Sequence, residues 1–214
     1  LGDVYKRQID TYTQICKEIV ARGHEIAHHG YVHEDPTDLP LEEEEAIFAK
    51  GLEALDRIGV RPVGYRSPGF DFSPNTMDLL IKHGIKYDSS LMGQDFFPYR
   101  PAPCKVNFDK GNEFGEPVDL VEMPVSWYMD DFPHSEFIMT RTGMKPQSQI
   151  FEIWKATFDY GVANTQNGML NVAMHPQVIG RAHNIGMLEE FIEHVLASGA
   201  WIAPFAEIYE KIEF

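Results

Sequence analysis

Segments with the hydrophobic pattern of a β-strand alternate along this chain with segments that have the pattern of a helix. Strand patterns occur near residues 24–29, 63–67, 85–89, 120–127, 170–175 and 201–204. Helical patterns lie between them, at residues 10–21, 40–59, 73–84, 148–161 and 185–197. Residues 93–118 have no clear period and are predicted to form a loop. This alternation favours a parallel sheet covered by helices, either open or closed into a barrel. The sequence therefore predicts an α/β fold.

The length and composition suit a single domain. The chain has 214 residues, 43% of them hydrophobic, which is enough to build a sizeable core. We find no internal repeat, and we expect one domain over residues 9–214. Residues 1–8 fit neither a secretory signal nor a first core strand, so we interpret them as a non-native or disordered leader. The domain is then expected to lack its first strand or strands.

Acidic residues strongly outnumber basic ones, 33 against 18, which gives a formal net charge of −15. Such a surface repels a phosphate backbone, so we do not expect a nucleic-acid partner. No apolar run approaches the roughly 18–20 residues that a membrane span requires. We expect a cytoplasmic location, with a signal peptide in a missing N-terminal segment as the open alternative. A homo-oligomer also stays open.

Residues 24–33, HEIAHHGYVH, contain two histidine pairs at the same spacing. The first, His24 and His28, spells the zinc-protease signature HExxH, which works only on a continuous helix. Gly23 and Gly30 interrupt any such helix on both sides. In an extended segment the two residues would be about 13 Å apart, too far to share one ion. The sequence argues against this zinc-protease interpretation.

The second pair, His29 and His33, begins where the first predicted strand ends and the chain turns at Gly30. A single turn of coil there can bring both imidazoles to the carboxyl end of a strand. In α/β folds, ligands bind at that end of the strands. The alternative is a pair of capping or surface histidines.

Further polar and aromatic residues follow other predicted strands, in GYRSPGF, PVSWYMDDFP and NVAMHP. They are Tyr65, Arg66, Trp127, Asp130, Asp131 and His175. Any one of them alone would most simply be a surface residue. Because they recur at the carboxyl ends of several strands, we expect them to outline one site together with the second histidine pair.

These stretches resemble the polysaccharide deacetylase family, carbohydrate esterase family 4, from about residue 9 to the C-terminus. GHEIAHHGYVHE is similar to the family's His-x3-His metal motif, and GYRSPGF to its arginine motif. SWYMDDFP resembles the tryptophan and aspartate region, and VAMHP the strand that delivers the catalytic histidine. The sequence of these motifs is most similar to the branch of peptidoglycan-deacetylase-like proteins and metal-independent allantoinases. The resemblance implies a distorted (β/α) barrel, here N-terminally truncated.

The resemblance also implies an enzyme that hydrolyses carbon–nitrogen bonds other than peptide bonds, by N-deacetylation of an N-acetylated carbohydrate. A divalent metal, usually zinc, would be bound by His29 and His33 and would polarise the scissile carbonyl. Arg66 would orient and charge-pair with a general base. His175 would act as the general acid that protonates the leaving amine.

The remaining candidates have supporting roles under the same resemblance. Asp130 or Asp131 would keep the catalytic histidine protonated. Trp127 and Tyr65 would contact the substrate, either a carbohydrate or another small molecule.

The sequence departs from the family pattern in one place. The family's first motif, a strand ending in Thr-Phe-Asp-x-Asp, supplies a metal-binding aspartate and the general base, and nothing before His29 matches it. We therefore expect this chain by itself to have little or no activity. Two other functions stay open: an allantoinase-like hydrolase of a small cyclic amide, and a non-catalytic carbohydrate-binding relative.

Overall fold

The computed structural model describes residues 6–138 and 141–214. Its helices in those ranges are α1 (Lys6–Thr11), α2 (Thr13–Ala21), α3 (Leu41–Asp56), α4 (Thr76–Lys82), α5 (Phe132–Ser135), α6 (Gln147–Asn164), α7 (Pro176–Ile179), α8 (Ala182–Ala197) and α9 (Phe205–Tyr209). The strands are β1 (Gly64–Tyr65), β2 (Tyr87–Asp88), β3 (Cys104–Lys105), β4 (Glu113–Phe114), β5 (Val121–Glu122), β6 (Phe137–Ile138) and β7 (Arg141–Thr142). Two 3-10 turns lie at Pro68–Phe70 and Trp127–Met129.

Contacts within the chain group it into two compact units. The first unit comprises Leu1–Leu91, Pro98–Met123 and Ala203–Phe214, and the second comprises Met92–Phe97 and Pro124–Ile202. The single domain and the leader that the sequence predicted stay predictions. None of the helices in the described ranges combines the length and the apolar character that crossing a membrane requires.

A parallel sheet of three strands lies in the first unit, in the order β1-β2-β5. Tyr87 of β2 pairs with Gly64 on one side and with Val121 on the other. A single parallel bridge between His28 and Tyr65 adds residues of the predicted first strand beside β1. The predicted parallel pairing is therefore observed, although each strand is shorter than the sequence pattern suggested.

Helix boundaries follow local signals in the sequence. Pro40 precedes α3, whose first turn carries three glutamates that interact favourably with the helix dipole. Gly59, at φ 77°, follows the end of this helix in the left-handed conformation that glycine adopts readily. The helix predicted over residues 10–21 is instead two helices, because Tyr12 has a non-helical φ of −127° between α1 and α2.

Two other expectations need correction. Residues 201–204 form no strand: Trp201 and Ile202 lie in extended chain and are 57% and 56% exposed. The segment predicted as loop at residues 93–118 contains a short antiparallel hairpin of β3 and β4. Periodicity over a few residues does not distinguish a paired strand from an extended one, because pairing depends on distant parts of the chain.

Each unit has its own apolar core. In the first unit, one cluster lies between α2 and α3 and a second lies beside β1. Their buried members are Ile9, Cys16, Ile26, Ala54, Leu55 and Ile58, and Phe48, Tyr65, Leu80, Ile85 and Leu120. In the second unit α6 packs on α8 around Met129, Ile150, Trp154, Phe158, Ile179, Met187 and Phe191.

Two carboxyl groups are buried side by side in the sheet of the first unit. Asp88 of β2 and Glu122 of β5 are register partners on adjacent strands, and both side chains are fully buried. Burial raises the pKa of Asp88, and burial together with the neighbouring Asp88 charge raises the pKa of Glu122 well above its usual range. Two neighbouring buried carboxyls resist carrying two negative charges, so the pair retains a proton at pH values where isolated carboxyls are ionised.

This pair predicts an unusual dependence of stability on pH. The carboxyls of the unfolded chain ionise near about pH 4, whereas the folded pair has raised pKa values. The free energy of unfolding should therefore decrease as pH rises through those values. Glu122→Gln should remove most of this decrease, because an amide can bond to Asp88 without adding a second buried charge. Urea unfolding at several pH values between about pH 5 and pH 9 measures this decrease in the free energy of unfolding.

The exposed Glu116 in the same unit provides the matched control. Glu116→Gln should leave the pH profile of unfolding parallel to that of the unmodified chain. A Glu122→Gln profile that is also parallel would contradict a shared proton between the two buried carboxyls.

Candidate functional site

The first histidine pair does not form a protease metal site. His24 is exposed after the end of α2, and His28 is fully buried beside β1. The His28 ring stacks on Phe48 with centroids 4.1 Å apart, and its Nε2 lies 3.0 Å from the Phe48 carbonyl oxygen. His28 is therefore part of the core. Residues 24–33 form no helix, as the glycines at positions 23 and 30 predicted.

Glu25, the acidic residue of the HExxH signature, has a structural role. Its carboxylate accepts a hydrogen bond from the Tyr87 hydroxyl and another, at 2.9 Å, from the backbone N–H of Ala206 in α9. These bonds tie the segment before β1 to β2 and to the C-terminal helix of the same unit.

His29 is buried and directly oriented by its hydrogen bond to the end of β1. Its Nδ1 lies 2.7 Å from the carbonyl oxygen of Arg66. Because a carbonyl oxygen only accepts hydrogen bonds, Nδ1 must carry the proton in this arrangement. The lone pair of the neutral ring is then on Nε2, which is the form in which a histidine binds a metal ion.

His33 lies next to His29, with ring centroids 5.2 Å apart and planes at 74°. Gly30 and His33 both have positive φ, 64° and 61°. The left-handed conformation is uncommon for a residue with a side chain and has an energetic cost. The turn of residues 30–33 therefore brings together the second histidine pair that the sequence singled out.

The carboxylate of Glu34 stabilises this turn from inside. It accepts hydrogen bonds from the backbone N–H of Tyr31, at 3.1 Å, and of Val32, at 2.8 Å. A Cβ on Gly30 would lie 2.5 Å from Glu34 Oε1 and 2.9 Å from Cγ of Pro68. The turn consequently requires both the conformational freedom and the small size of glycine.

Gly30→Ala should destabilise the first unit more than Gly23→Ala. Both glycines have left-handed φ values, 64° and 82°, so both substitutions incur a strain of about 1–3 kcal/mol. A Cβ at Gly23 has nothing within 4 Å, whereas one at Gly30 collides with its neighbours. Urea unfolding of the two variants measures the difference. Equal losses would show that the turn relaxes without cost.

Arg66 is buried at the end of β1, and its guanidinium contacts Ser89. Nε donates to the Ser89 carbonyl oxygen and Nη2 to the Ser89 hydroxyl, both at 2.9 Å. The guanidinium carbon lies 5.8 Å and 5.9 Å from the ring centroids of Phe70 and Phe205. The side chain has one defined orientation inside the first unit.

Tyr65, which the sequence analysis placed among the substrate contacts, packs in the core cluster beside β1. Its hydroxyl lies 3.4 Å from the Ser67 hydroxyl, and burial raises its pKa. Its assignment as a substrate contact stays a prediction.

In the second unit, His175 and Asp131 form a hydrogen-bonded pair. His175 Nδ1 lies 2.7 Å from Asp131 Oδ1, and the backbone N–H of His175 donates to the same carboxylate at 3.0 Å. Asp130 Oδ1 lies 3.7 Å from Nδ1 and accepts the backbone N–H of Phe132 at 2.8 Å. A parallel bridge between Asp130 and Ala173 brings the two segments together.

Two groups of side chains could bind a cation. Asp130, Asp131 and His175 have ligand atoms within 4.8 Å of one another. The short Nδ1 contact with Asp131 is, however, the geometry of an aspartate that orients a histidine. Among the described residues, His29 and His33 have no third histidine, cysteine or carboxylate in such a group. His29 nevertheless has its Nδ1 bonded to a carbonyl oxygen, which is the usual arrangement of a metal-binding histidine.

The structure thus brings the predicted residues together within each unit. His29, His33 and Arg66 lie together in the first unit, and Asp130, Asp131 and His175 in the second. Trp127 begins a 3-10 turn in the second unit and is 42% exposed. The roles of these residues stay predictions.

Sequence analysis missed Glu34 and Ser89. Glu34 is the residue after HGYVH, and its role depends on a turn geometry that spacing does not reveal. Ser89 follows β2 at a strand end, so the rule that selected Arg66 could have selected it too.

Comparison with known proteins assigns the chain to a family. The profile of the polysaccharide deacetylase family matches residues 4–87. A peptidoglycan deacetylase of Helicobacter pylori is 35% identical over 202 residues, covering 87% of this chain and 69% of that protein. The peptidoglycan deacetylase-like protein FGM2 of Gibberella zeae is 30% identical over 202 residues, covering 85% and 60%. The chain belongs to the polysaccharide deacetylase family.

Solved structures agree with this assignment. A Mycobacterium smegmatis structure assigned to the polysaccharide deacetylases superposes with a TM-score of 0.80 at 32% identity, covering 98% of this chain and 70% of that one. Puue allantoinase superposes with a TM-score of 0.75 at 24% identity, covering 96% and 64%, a likeness of fold alone. The predicted fold class, a distorted (β/α) barrel of the polysaccharide deacetylase type, is confirmed. Family members are hydrolases of carbon–nitrogen bonds other than peptide bonds.

Proposed function

We propose that this protein is a metal-dependent hydrolase that removes acetyl groups from an N-acetylated carbohydrate, with the glycan of peptidoglycan as the substrate class. The observation that carries the proposal is the pairing of His29 and His33, with the tautomer of His29 set by the Arg66 carbonyl. The similarity to a peptidoglycan deacetylase over most of the chain supports the choice of substrate class.

His29 and His33 would bind the divalent cation, for which zinc is the first choice. Two neighbouring imidazoles suit zinc well. The bond from His29 Nδ1 to a backbone carbonyl is the usual support of a metal-binding histidine, because it orients the ring and puts the lone pair on Nε2. When bound, the metal would supply Lewis-acid polarisation of the acetyl carbonyl and activation of a water molecule.

The other candidate residues supply charge or take part in proton transfer. Arg66, whose backbone carbonyl orients His29, carries a permanent positive charge and would orient the general base. Asp131 accepts a hydrogen bond from Nδ1 of His175, which favours the protonated ring and directs Nε2 to the group that receives the proton. His175 would then act as the general acid that protonates the departing amine. Trp127 and Tyr65 are proposed substrate contacts.

His29→Ala and His33→Ala should each abolish stoichiometric zinc binding. Removal of a direct ligand should weaken affinity by more than the roughly 10–100-fold that loss of a supporting hydrogen bond costs. Zinc titration of the apoprotein by calorimetry, with metal content measured after dialysis, tests this. His24→Ala, an exposed histidine nearby, is the control and should bind zinc normally. Equal zinc binding in all variants would contradict the assignment of His29 and His33 as zinc ligands.

Catalysis is tested by acetate release from N-acetylglucosamine oligomers and from peptidoglycan, with this chain and with a longer chain to which an upstream strand ending in Asp-x-Asp has been added. His175→Ala should lower turnover by about 10²–10⁴-fold while leaving zinc content unchanged. Opening of allantoin in place of acetate release would favour the allantoinase-like alternative. Sugar binding without either reaction would favour a non-catalytic relative.

A further inference from the structure

Ser89 offers the Arg66 guanidinium two acceptors at once. Its carbonyl oxygen accepts from Nε and its hydroxyl oxygen from Nη2, each at 2.9 Å. Both residues are buried, Arg66 at 5% and Ser89 at 1% exposure. Two acceptors on adjacent guanidinium nitrogens define the plane of the group, which one acceptor cannot do.

The Ser89 hydroxyl is itself oriented by the next strand. Its Oγ donates its proton to the carbonyl oxygen of Met123 at 2.8 Å. Because a hydroxyl has only one proton, its oxygen can then act towards Arg66 only as an acceptor. The backbone N–H of Ser89 donates to the Tyr65 carbonyl at 3.0 Å. Ser89 is therefore held from both neighbouring strands.

We propose that Ser89 is a positioning residue that sets the orientation of the Arg66 guanidinium for the reaction. This inference rests on the proposed function, since it assigns to Arg66 a role in that chemistry. Ser89 touches no substrate in this proposal. It acts only through the plane and the position of the guanidinium.

The neighbouring Ser90 has a separate task. Its hydroxyl accepts a hydrogen bond from the backbone N–H of Ser67 at 2.8 Å and donates one to the Asp88 carboxylate at 2.7 Å. Ser90 thereby holds the main chain just after Arg66, whereas Ser89 holds the side chain. The two contacts can be removed one at a time.

The decisive measurement is ¹⁵N NMR of the arginine side chains in the apoprotein, with Arg66 assigned by loss of its signals in Arg66→Lys. A guanidinium bonded at Nε and Nη2 rotates slowly about its terminal C–N bonds. Ser89→Ala should speed up rotation at Nη2 and leave the Nε–H signal in place, since that bond uses the backbone carbonyl. Ser89→Thr, which keeps the hydroxyl, should restore slow rotation.

Ser73→Ala is the matched control. Ser73 is a buried serine of the same unit whose hydroxyl donates to Glu44 at 2.5 Å, with no bond to the guanidinium among those found for it. Its removal should leave the Arg66 signals unchanged. Equal rotation rates in the unmodified chain and in Ser89→Ala would overturn the inference. Should Ser89→Ala fail to fold, Ser89→Cys replaces it, because sulfur is a weak acceptor of similar position.

Kinetics then connect the orientation to the reaction. Ser89→Ala should lower kcat by about 10–100-fold with little change in KM, as expected for a misplaced catalytic group. The same change made in Arg66→Lys should have almost no further effect. Additive losses would overturn the inference. These kinetics use a longer chain that carries an upstream strand ending in Asp-x-Asp. If that unmodified chain releases no acetate, the proposed function fails, and the NMR result alone decides whether Ser89 orients Arg66.

Discussion

The organisation of the first unit depends on the hydrogen bonds that join residue 28 to β1. The N–H of His28 donates to the Gly64 carbonyl, and the N–H of Arg66 donates to the His28 carbonyl, both at 2.9 Å. With this register, the segment that contains His28 and strand β1 end side by side. His29 and Arg66 therefore leave the sheet at the same edge, and the His29 ring reaches the Arg66 carbonyl. A shift of one residue would turn the histidine to the other face.

The sheet that carries these residues has many buried polar side chains near its carboxyl edge. The buried polar side chains there are His28, His29, Arg66, Ser67, Asp88, Ser89, Ser90 and Glu122. Desolvating such groups costs free energy unless each finds a hydrogen bond. The end of β2 and the two residues after it meet this requirement. The hydroxyls of Ser89 and Ser90 bond to the chain just after β5 and β1, and the Asp88 carboxylate accepts hydrogen bonds from Ser90. The polar network and the apolar core beneath it thus depend on the same strand pairing.

Much of the architecture could be predicted from the sequence, because periodicity and glycine position carry it. The fold class is confirmed, and the glycines around residues 24–33 correctly ruled out a helical HExxH site. The break at Tyr12 could not be predicted, since the apolar spacing continues across it. The pairing of Asp88 with Glu122 could not be predicted either, because the sequence does not show that β2 and β5 are neighbouring strands. Strand order is a property of the whole fold and not of either segment.

The Glu34 carboxylate gives the turn at residues 30–33 a further property. It orders the backbone of the turn by accepting two of its N–H groups, through hydrogen bonds within the chain itself. The conformational entropy of this segment is therefore lost when the chain folds and not when a ligand arrives. Preorganisation of this kind raises affinity without adding a contact to the ion. In the proposed metal site, a substitution at Glu34 would therefore weaken cation binding through the turn, although the proposal does not assign its carboxylate as a ligand.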